Sequence, residues 1–97
     1  MIKVKRFEKG LNKVLRKIYS GDGLYASVDK ITYEYADFED VKYIAVVSIE
    51  YGRYVEGDDD RNFNYQTRIE VTAEETKNFD FMMGMVYEAM VLKEFRD

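Results

Sequence analysis

The residues in this sequence that could bind a partner, by their type and spacing, are the charged ones. Basic and acidic residues are separated along the chain. Residues 1–18 contain seven of the 15 Lys and Arg residues and a single Glu, which gives a net charge of +6. Residues 19–97 contain the other eight basic residues and 18 acidic ones, which gives −10. Such a division governs which partners a protein attracts and how fast it meets them, rather than its fold.

The acidic residues concentrate in predicted turns at the two ends of a β-sheet. Closely spaced carboxylates can imitate the spacing of phosphates and occupy a basic nucleic-acid channel on another protein, toward which opposite charge steers them. The sequence therefore predicts an acidic module that binds a basic protein partner. The residues assigned to this surface are Asp37, Glu39, Asp40, Glu56, Asp58, Asp59, Asp60, Glu74 and Glu75. The alternative is a set of solvated loops that aid solubility and block edge pairing.

The basic segment supports a second interpretation, a nucleic-acid-binding protein. Its cations lie off the apolar face of a predicted helix, so they form a solvated surface of the type that contacts phosphates or anionic lipid. The residues assigned to phosphate contact are Lys3, Arg6, Lys13, Arg16 and Lys17. No base-reading motif accompanies them. The alternative is that these cations neutralise the acidic remainder of the domain or keep a surface helix soluble.

The residue types that catalysis uses most often are missing. Because the chain has no Cys and no His, it lacks a thiolate nucleophile, a zinc–thiolate site and the commonest general base. The run Asp58-Asp59-Asp60 does not have the alternating ligands of a calcium loop. The sequence therefore predicts that the protein is not an enzyme and holds no metal or cofactor.

Segments that would direct the chain to a membrane are not visible either. The basic start Met1–Arg6 is not followed by an unbroken apolar run of the kind found in secretory signals. No segment approaches the roughly 20 apolar residues that cross a bilayer. We therefore expect a cytoplasmic protein with no membrane partner.

Periodicity predicts the elements that position these charges. Apolar residues spaced by three and four from Val4 to Ile18 predict a helix over about residues 3–19, ended by the glycines that follow Ser20. Alternating patterns predict strands over about 24–38, 41–55 and 62–71, with a bulge near Asp29. In the second strand, Val41, Tyr43, Ala45, Val47, Ile49 and Tyr51 are predicted to face the core.

A second helix is predicted over about residues 73–95. Thr72 and Glu75 have the spacing of a capping box, which places the helix start there. The architecture that follows is α+β, in the order αβββα: one domain, residues 1–97, in which two helices pack on one face of a three-stranded antiparallel meander.

The second helix is apolar around most of its circumference, with eleven of the fourteen residues from Phe79 to Leu92 apolar. A small sheet and one neighbouring helix cover about half of such a surface, so the remainder predicts a homodimer. The residues assigned to its interface are Met82, Met83, Val86 and Met90. The alternative is that the first helix or the first strand covers this side within one chain.

In its size, its acidic balance and its element order, the chain resembles the small inhibitors that phages and other mobile elements make, including anti-CRISPR proteins that mimic nucleic acid. The acidic turns at Asp37–Asp40 and Glu56–Asp60 carry the resemblance, and the basic first helix departs from it. The resemblance implies a protein that occupies the nucleic-acid site of a host nuclease, in the cytoplasm of the host cell.

Overall fold

Helices and strands follow one another in the predicted order, and the fold is α+β. The computed structural model describes residues 2–38 and 41–96, with side chains over 2–35 and 43–93. Within those residues the chain forms a helix, a three-stranded antiparallel sheet, a short 3-10 turn and a second helix. The elements are α1 (Val4–Ile18), β1 (Leu24–Phe38), β2 (Val41–Arg53), β3 (Phe63–Thr72), the 3-10 turn Glu75–Lys77 and α2 (Phe79–Arg96).

The central strand of the sheet is β2, which pairs with β1 on one side and β3 on the other. Every second residue of β2 from Ala45 to Tyr51 is at most 1% exposed, which confirms the predicted face for this part of the strand. The predicted bulge is also present, because the register of β1 against β2 shifts between Val28 and Lys30.

Both helices pack on this one face of the sheet and supply seven of the fifteen residues of the buried core cluster. Their buried side chains are Phe7, Leu11, Val14 and Leu15 from α1, and Met82, Val86 and Met90 from α2. Burial of one such side chain contributes about 1.5–3 kcal/mol, so the contact between helices and sheet is the main source of stability. The opposite face of the sheet carries mainly polar side chains, such as Glu50, Gln66 and Arg68.

α1 also covers the outer edge of β1, where no further strand pairs. The Val28 N–H donates to Glu8 Oε2 at 2.8 Å, and Asn12 Nδ2 donates to the Ala26 carbonyl oxygen at 3.1 Å. Two backbone groups at the edge of the sheet are thus satisfied by side chains of α1. These bonds attach one flank of α1 to the sheet and determine which of its faces is turned to solvent.

The predicted start of the second helix is wrong by about six residues. The capping box forms, since the Glu75 N–H donates to Thr72 Oγ1 at 3.2 Å and the Thr72 N–H donates to Glu75 Oε1 at 2.9 Å. It closes only the 3-10 turn, because Asn78 takes an extended conformation (φ −103°, ψ 95°) that interrupts the helix. Asn78 Oδ1 then accepts from the Phe81 N–H at 3.0 Å, so Asn78 is the N-terminal cap of α2.

Tyr43 lies on the predicted face of the sheet but is not buried in the core, because the helices do not reach it. β3 ends at Thr72, which pairs with Ile44, so the part of the sheet beyond Ile44 has only β1 and β2. There Tyr43 is 56% exposed, and its ring meets that of Tyr35 edge to face at 5.6 Å. The alternating pattern predicts which face a residue occupies but not whether a helix covers that face.

Gly52 is a position where the sheet has no room for a side chain. Its neighbours across the strands are Tyr25 and Asn64, and Asn64 Nδ2 donates to the Tyr25 hydroxyl at 2.6 Å. A Cβ on Gly52 would meet the Phe63 carbonyl oxygen, a backbone atom that cannot move without distorting β3.

Gly52→Ala is therefore expected to lower the free energy of unfolding by about 2 kcal/mol, as overpacking of a well-packed site does. Urea denaturation followed by circular dichroism measures the change. Gly84→Ala is the control, because nothing lies within 4 Å of a Cβ at this exposed helical position. Gly84→Ala should stabilise α2 by about 0.5–1 kcal/mol. Equal effects of the two substitutions would show that the sheet tolerates a Cβ at Gly52.

Candidate functional site

The outer face of α1 is a continuous basic surface, which we call the cationic face. It consists of Lys3 at the start of the helix and Lys5, Arg6, Lys9, Lys13, Arg16 and Lys17 within it, all of them exposed. Among the residues whose side chains are described, no carboxylate lies within 4.0 Å of any of these charged groups. At the level of direct contacts, the described carboxylates of the domain do not neutralise them.

The single acidic residue of α1 lies at the edge of the cationic face and lines the same shallow groove as four of its cations. Glu8 accepts the Val28 N–H, and Asn12 beside it donates to both the Ala26 and the Glu8 carbonyl oxygens. Glu8 is thus bonded to the edge of β1 and forms no ion pair with the cations of α1. A positive potential over the helix follows.

The structure places all five sequence-predicted phosphate-contact residues on this one helix and adds two more. Lys5 and Lys9 are exposed beside Lys13 and Arg16, and together they line a shallow groove along the helix. Neither Lys5 nor Lys9 was predicted to contact phosphate, although their spacing from Lys13 is enough to place them on the same flank of the helix. The cationic face is therefore broader than predicted.

The first turn of α1 places cations where the helix itself is already positive. The capping residue Lys3 makes no side-chain cap hydrogen bond, and the first turn contains no acidic residue. Cations near a helix N-terminus oppose the helix dipole and cost roughly 0.3–1 kcal/mol each. The arrangement lowers the stability of the isolated protein and favours the approach of an anion.

The acidic turn after β2 uses one of its predicted binding residues internally. Asp58 Oδ2 lies 3.0 Å from Arg53 Nη2, in a partly buried ion pair. Asn62 secures the same turn, because its side chain accepts the Val55 N–H at 2.9 Å and donates to the Val55 carbonyl oxygen at 3.0 Å. Arg53 and Asn62 were not recognised from the sequence, since their roles depend on the turn conformation.

The remaining acidic residues do not form one surface. Glu75 belongs to the 3-10 turn through Thr72, and Glu74 lies 3.6 Å from Lys77 in an exposed ion pair. Three of the carboxylates predicted to bind a partner are exposed and make no hydrogen bond or ion pair among the described residues. They belong to Glu56, Asp59 and Asp60. The side chains of Asp37, Glu39 and Asp40 lie outside the described residues.

The predicted dimer interface on α2 is wrong, because three of its four residues belong to the core of a single chain. Met82 is 2% exposed, and Val86 and Met90 are 0% exposed. The fourth, Met83, is partly buried against Gly10 of α1. The intramolecular alternative accounts for this face. Among the described side chains of α2, the large apolar ones that are exposed are Phe81, Tyr87 and Leu92.

Two other features are absent from the described part of the chain. It has no group of three or more acidic residues placed to hold a metal ion. It also has no helix that is long and apolar enough to span a bilayer. Comparison with protein-family models gives no match, and comparisons with characterised proteins and with solved structures give none. The geometry and charge of the cationic face are therefore the features that bear on function.

Lys5→Glu is expected to raise the free energy of unfolding by about 0.5–1 kcal/mol. The substitution replaces a cation by a carboxylate near the positive end of α1, and the new carboxylate lies four residues before Lys9. Thermal denaturation at low salt measures the effect, which should shrink as salt screens it. Lys5→Gln serves as the neutral control and should give about half the gain. A loss of stability in Lys5→Glu would show that Lys5 has a stabilising role in the free protein.

Proposed function

We propose that this protein binds the phosphate backbone of nucleic acid through the cationic face of α1. The observation that carries the proposal is the set of seven exposed cations on one helix, none of them within salt-bridge distance of a carboxylate among the described residues. Long-range attraction between a basic helix and a polyanion survives a net charge of −4, because all of the 19 acidic residues except Glu8 lie outside α1.

The dimensions of the cationic face suit a phosphate backbone. Lys3 and Lys17 are fourteen residues apart, so the face extends over about 21 Å at 1.5 Å per residue. A duplex carries a phosphate charge about every 1.7 Å along its axis, so several cations can lie beside phosphates at once. Contacts of this kind position a protein on nucleic acid without reading its sequence. Binding should therefore be independent of base sequence.

Fluorescence anisotropy with labelled DNA and RNA, single-stranded and duplex, tests the proposal. If about five phosphates are contacted, the affinity should fall about a hundredfold or more between roughly 50 and 200 mM salt. Lys9→Gln, Lys13→Gln and Arg16→Gln together should reduce the slope of log affinity against log salt by about three. Chemical denaturation of the triple variant checks that the fold is intact.

A matched variant separates the cationic face from a general effect of charge. Lys30, Arg61 and Arg68 are exposed and lie outside α1, and their replacement by Gln removes the same charge. This variant should bind within about twofold of the natural chain when salt is constant. Absence of binding by the natural chain at low salt, or equal losses in the two triple variants, would contradict the proposal.

A second candidate function is the binding of a basic protein through the acidic turn after β2, as in a phage-encoded inhibitor that occupies a nuclease's nucleic-acid site. The observation that favours it is the rigidity of this turn. Asn62 holds its backbone at Val55, and Arg53 binds the Asp58 side chain, while Glu56, Asp59 and Asp60 stay exposed. Carboxylates on a rigid turn lose little conformational entropy when a cationic partner binds.

The second candidate predicts that Glu56→Gln, Asp59→Asn and Asp60→Asn together weaken binding to a basic nuclease by tenfold or more, because rim charges steer association. Inhibition of nuclease activity measures this. Asp58 is left intact, since its loss would free the turn that Arg53 holds. Inhibition that is unchanged in the acidic variant but abolished in the Lys9, Lys13 and Arg16 variant would exclude this role.

We also propose that the protein self-associates and that it is located in the cytoplasm. A homodimer built on α2 would have to use its outer face, where Phe81, Tyr87 and Leu92 are 41–48% exposed. Sedimentation of the protein alone, and with nucleic acid, gives the number of copies in each state. This number also enters the analysis of the salt dependence, because two copies would double the phosphate contacts.

A further inference from the structure

A cleft opens at the N-terminal end of the cationic face, between the start of α1, the 3-10 turn and the start of α2. Its volume is about 270 Å³. The floor is apolar and consists of Ile2, Phe7 and Met82, which are 8%, 2% and 2% exposed. The rim carries three cations, Lys3, Arg6 and Lys77, and no carboxylate lines the cleft among the described residues. A ligand of this cleft would combine an anionic group with an apolar or flat body.

Arg6 is held in place at the rim by an aromatic ring. Its Cζ atom lies 4.5 Å from the centroid of the Phe79 ring, in a cation–π contact. The N–H groups of Arg6 form no ion pair among the described residues and remain available. Those donors match the oxygens of a phosphate in a bidentate arrangement.

The other two cations of the rim are available to an anion. Lys3 forms no ion pair among the described residues. Lys77 lies 3.6 Å from Glu74, but the two side chains are 71% and 87% exposed, and ion pairs this exposed contribute little. A dianion at the rim would therefore compete with Glu74 for Lys77.

The size of the cleft limits the ligand. Pockets for drug-sized molecules span about 300–1,000 Å³, so a cleft of 270 Å³ holds one small unit rather than a lipid tail or several nucleotides. Its position limits the ligand further, since Arg6 belongs both to the rim and to the cationic face. A strand that follows α1 toward its N-terminus would end at this cleft.

We infer that the cleft binds a single nucleotide through a phosphate monoester. The phosphate lies between Lys3, Arg6 and Lys77, and the sugar and base lie over the apolar floor. The nucleotide is either a free nucleoside monophosphate or the phosphorylated end of a strand, and the second form rests on the proposed function of the cationic face.

Adenosine monophosphate, titrated into protein labelled with carbon-13 at its methionine methyl groups, tests the inference. Met82 lines the cleft, whereas Met90 lies about two turns further along α2 and is 0% exposed. The Met82 methyl resonance, assigned through Met82→Leu, should shift with saturation while that of Met90 stays in place. Adenosine and inorganic phosphate should each bind at least tenfold more weakly. No shift at Met82, or equal affinity for inorganic phosphate alone, would overturn the inference.

Substitutions in the rim of the cleft test whether the shift of the Met82 resonance reports binding there. Lys3→Gln with Lys77→Gln should weaken binding of adenosine monophosphate at least tenfold. Lys13→Gln with Lys17→Gln removes the same charge from the same helix outside this cleft and should retain binding within about twofold. Equal losses in the two variants would mean that the nucleotide responds to the overall charge of α1, which would contradict a defined site.

Oligonucleotides of one sequence, with and without a phosphate at the 5′ or 3′ end, distinguish the two forms of the ligand. A terminal phosphate that raises affinity tenfold, an advantage lost in the Lys3 and Lys77 variant, would identify the strand end. A shift at Met82 with the mononucleotide but no effect of a terminal phosphate would support a free nucleotide as the ligand. A third outcome is oligonucleotide binding that depends on Lys9, Lys13 and Arg16, with no shift at Met82 and no effect of a terminal phosphate. This outcome would overturn the inference about the cleft and would still support the proposed function.

Discussion

The attachment of α1 to the outer edge of β1 is the contact on which the surface of this protein depends. Glu8 and Asn12 satisfy backbone groups of Val28 and Ala26, while the apolar side chains of α1 pack on the sheet. The helix is thereby fixed about its own axis, because rotation would break those hydrogen bonds and expose the core. Its only carboxylate is used inward, and its cations are left together on the outer face.

The concentration of positive charge has a cost that the isolated domain bears. Cations at the first turn of α1 oppose the helix dipole, and neighbouring cations repel one another along the helix. The core compensates, with two helices buried against one face of the sheet. Such a surface destabilises the free protein and is stabilised beside an anion. This is expected of a binding surface, because functional residues often lower the stability of a protein.

The carboxylates of the domain show how the same residue type serves different purposes. Asp58 and Glu75 maintain local structure, one through Arg53 and the other through the Thr72 N–H. Glu56, Asp59 and Asp60 are exposed on a turn whose backbone is held by other residues. Counting charges along the sequence treats these groups alike. The hydrogen-bond geometry separates those that hold the structure from those that can meet a partner.

The sequence by itself determined the fold class, the order of the elements, the buried face of β2 from Ala45 to Tyr51 and the bulge near Asp29, because apolar periodicity and turn residues are local signals. It also placed five of the seven cations on one helix. Tertiary structure alone decided the rest. The break at Asn78 overrode a correct capping box, and the packing of α1 beside α2 took Met82, Val86 and Met90 into the core. The cleft beside Arg6 depends on residues about seventy positions apart, whose proximity only the packed chain establishes.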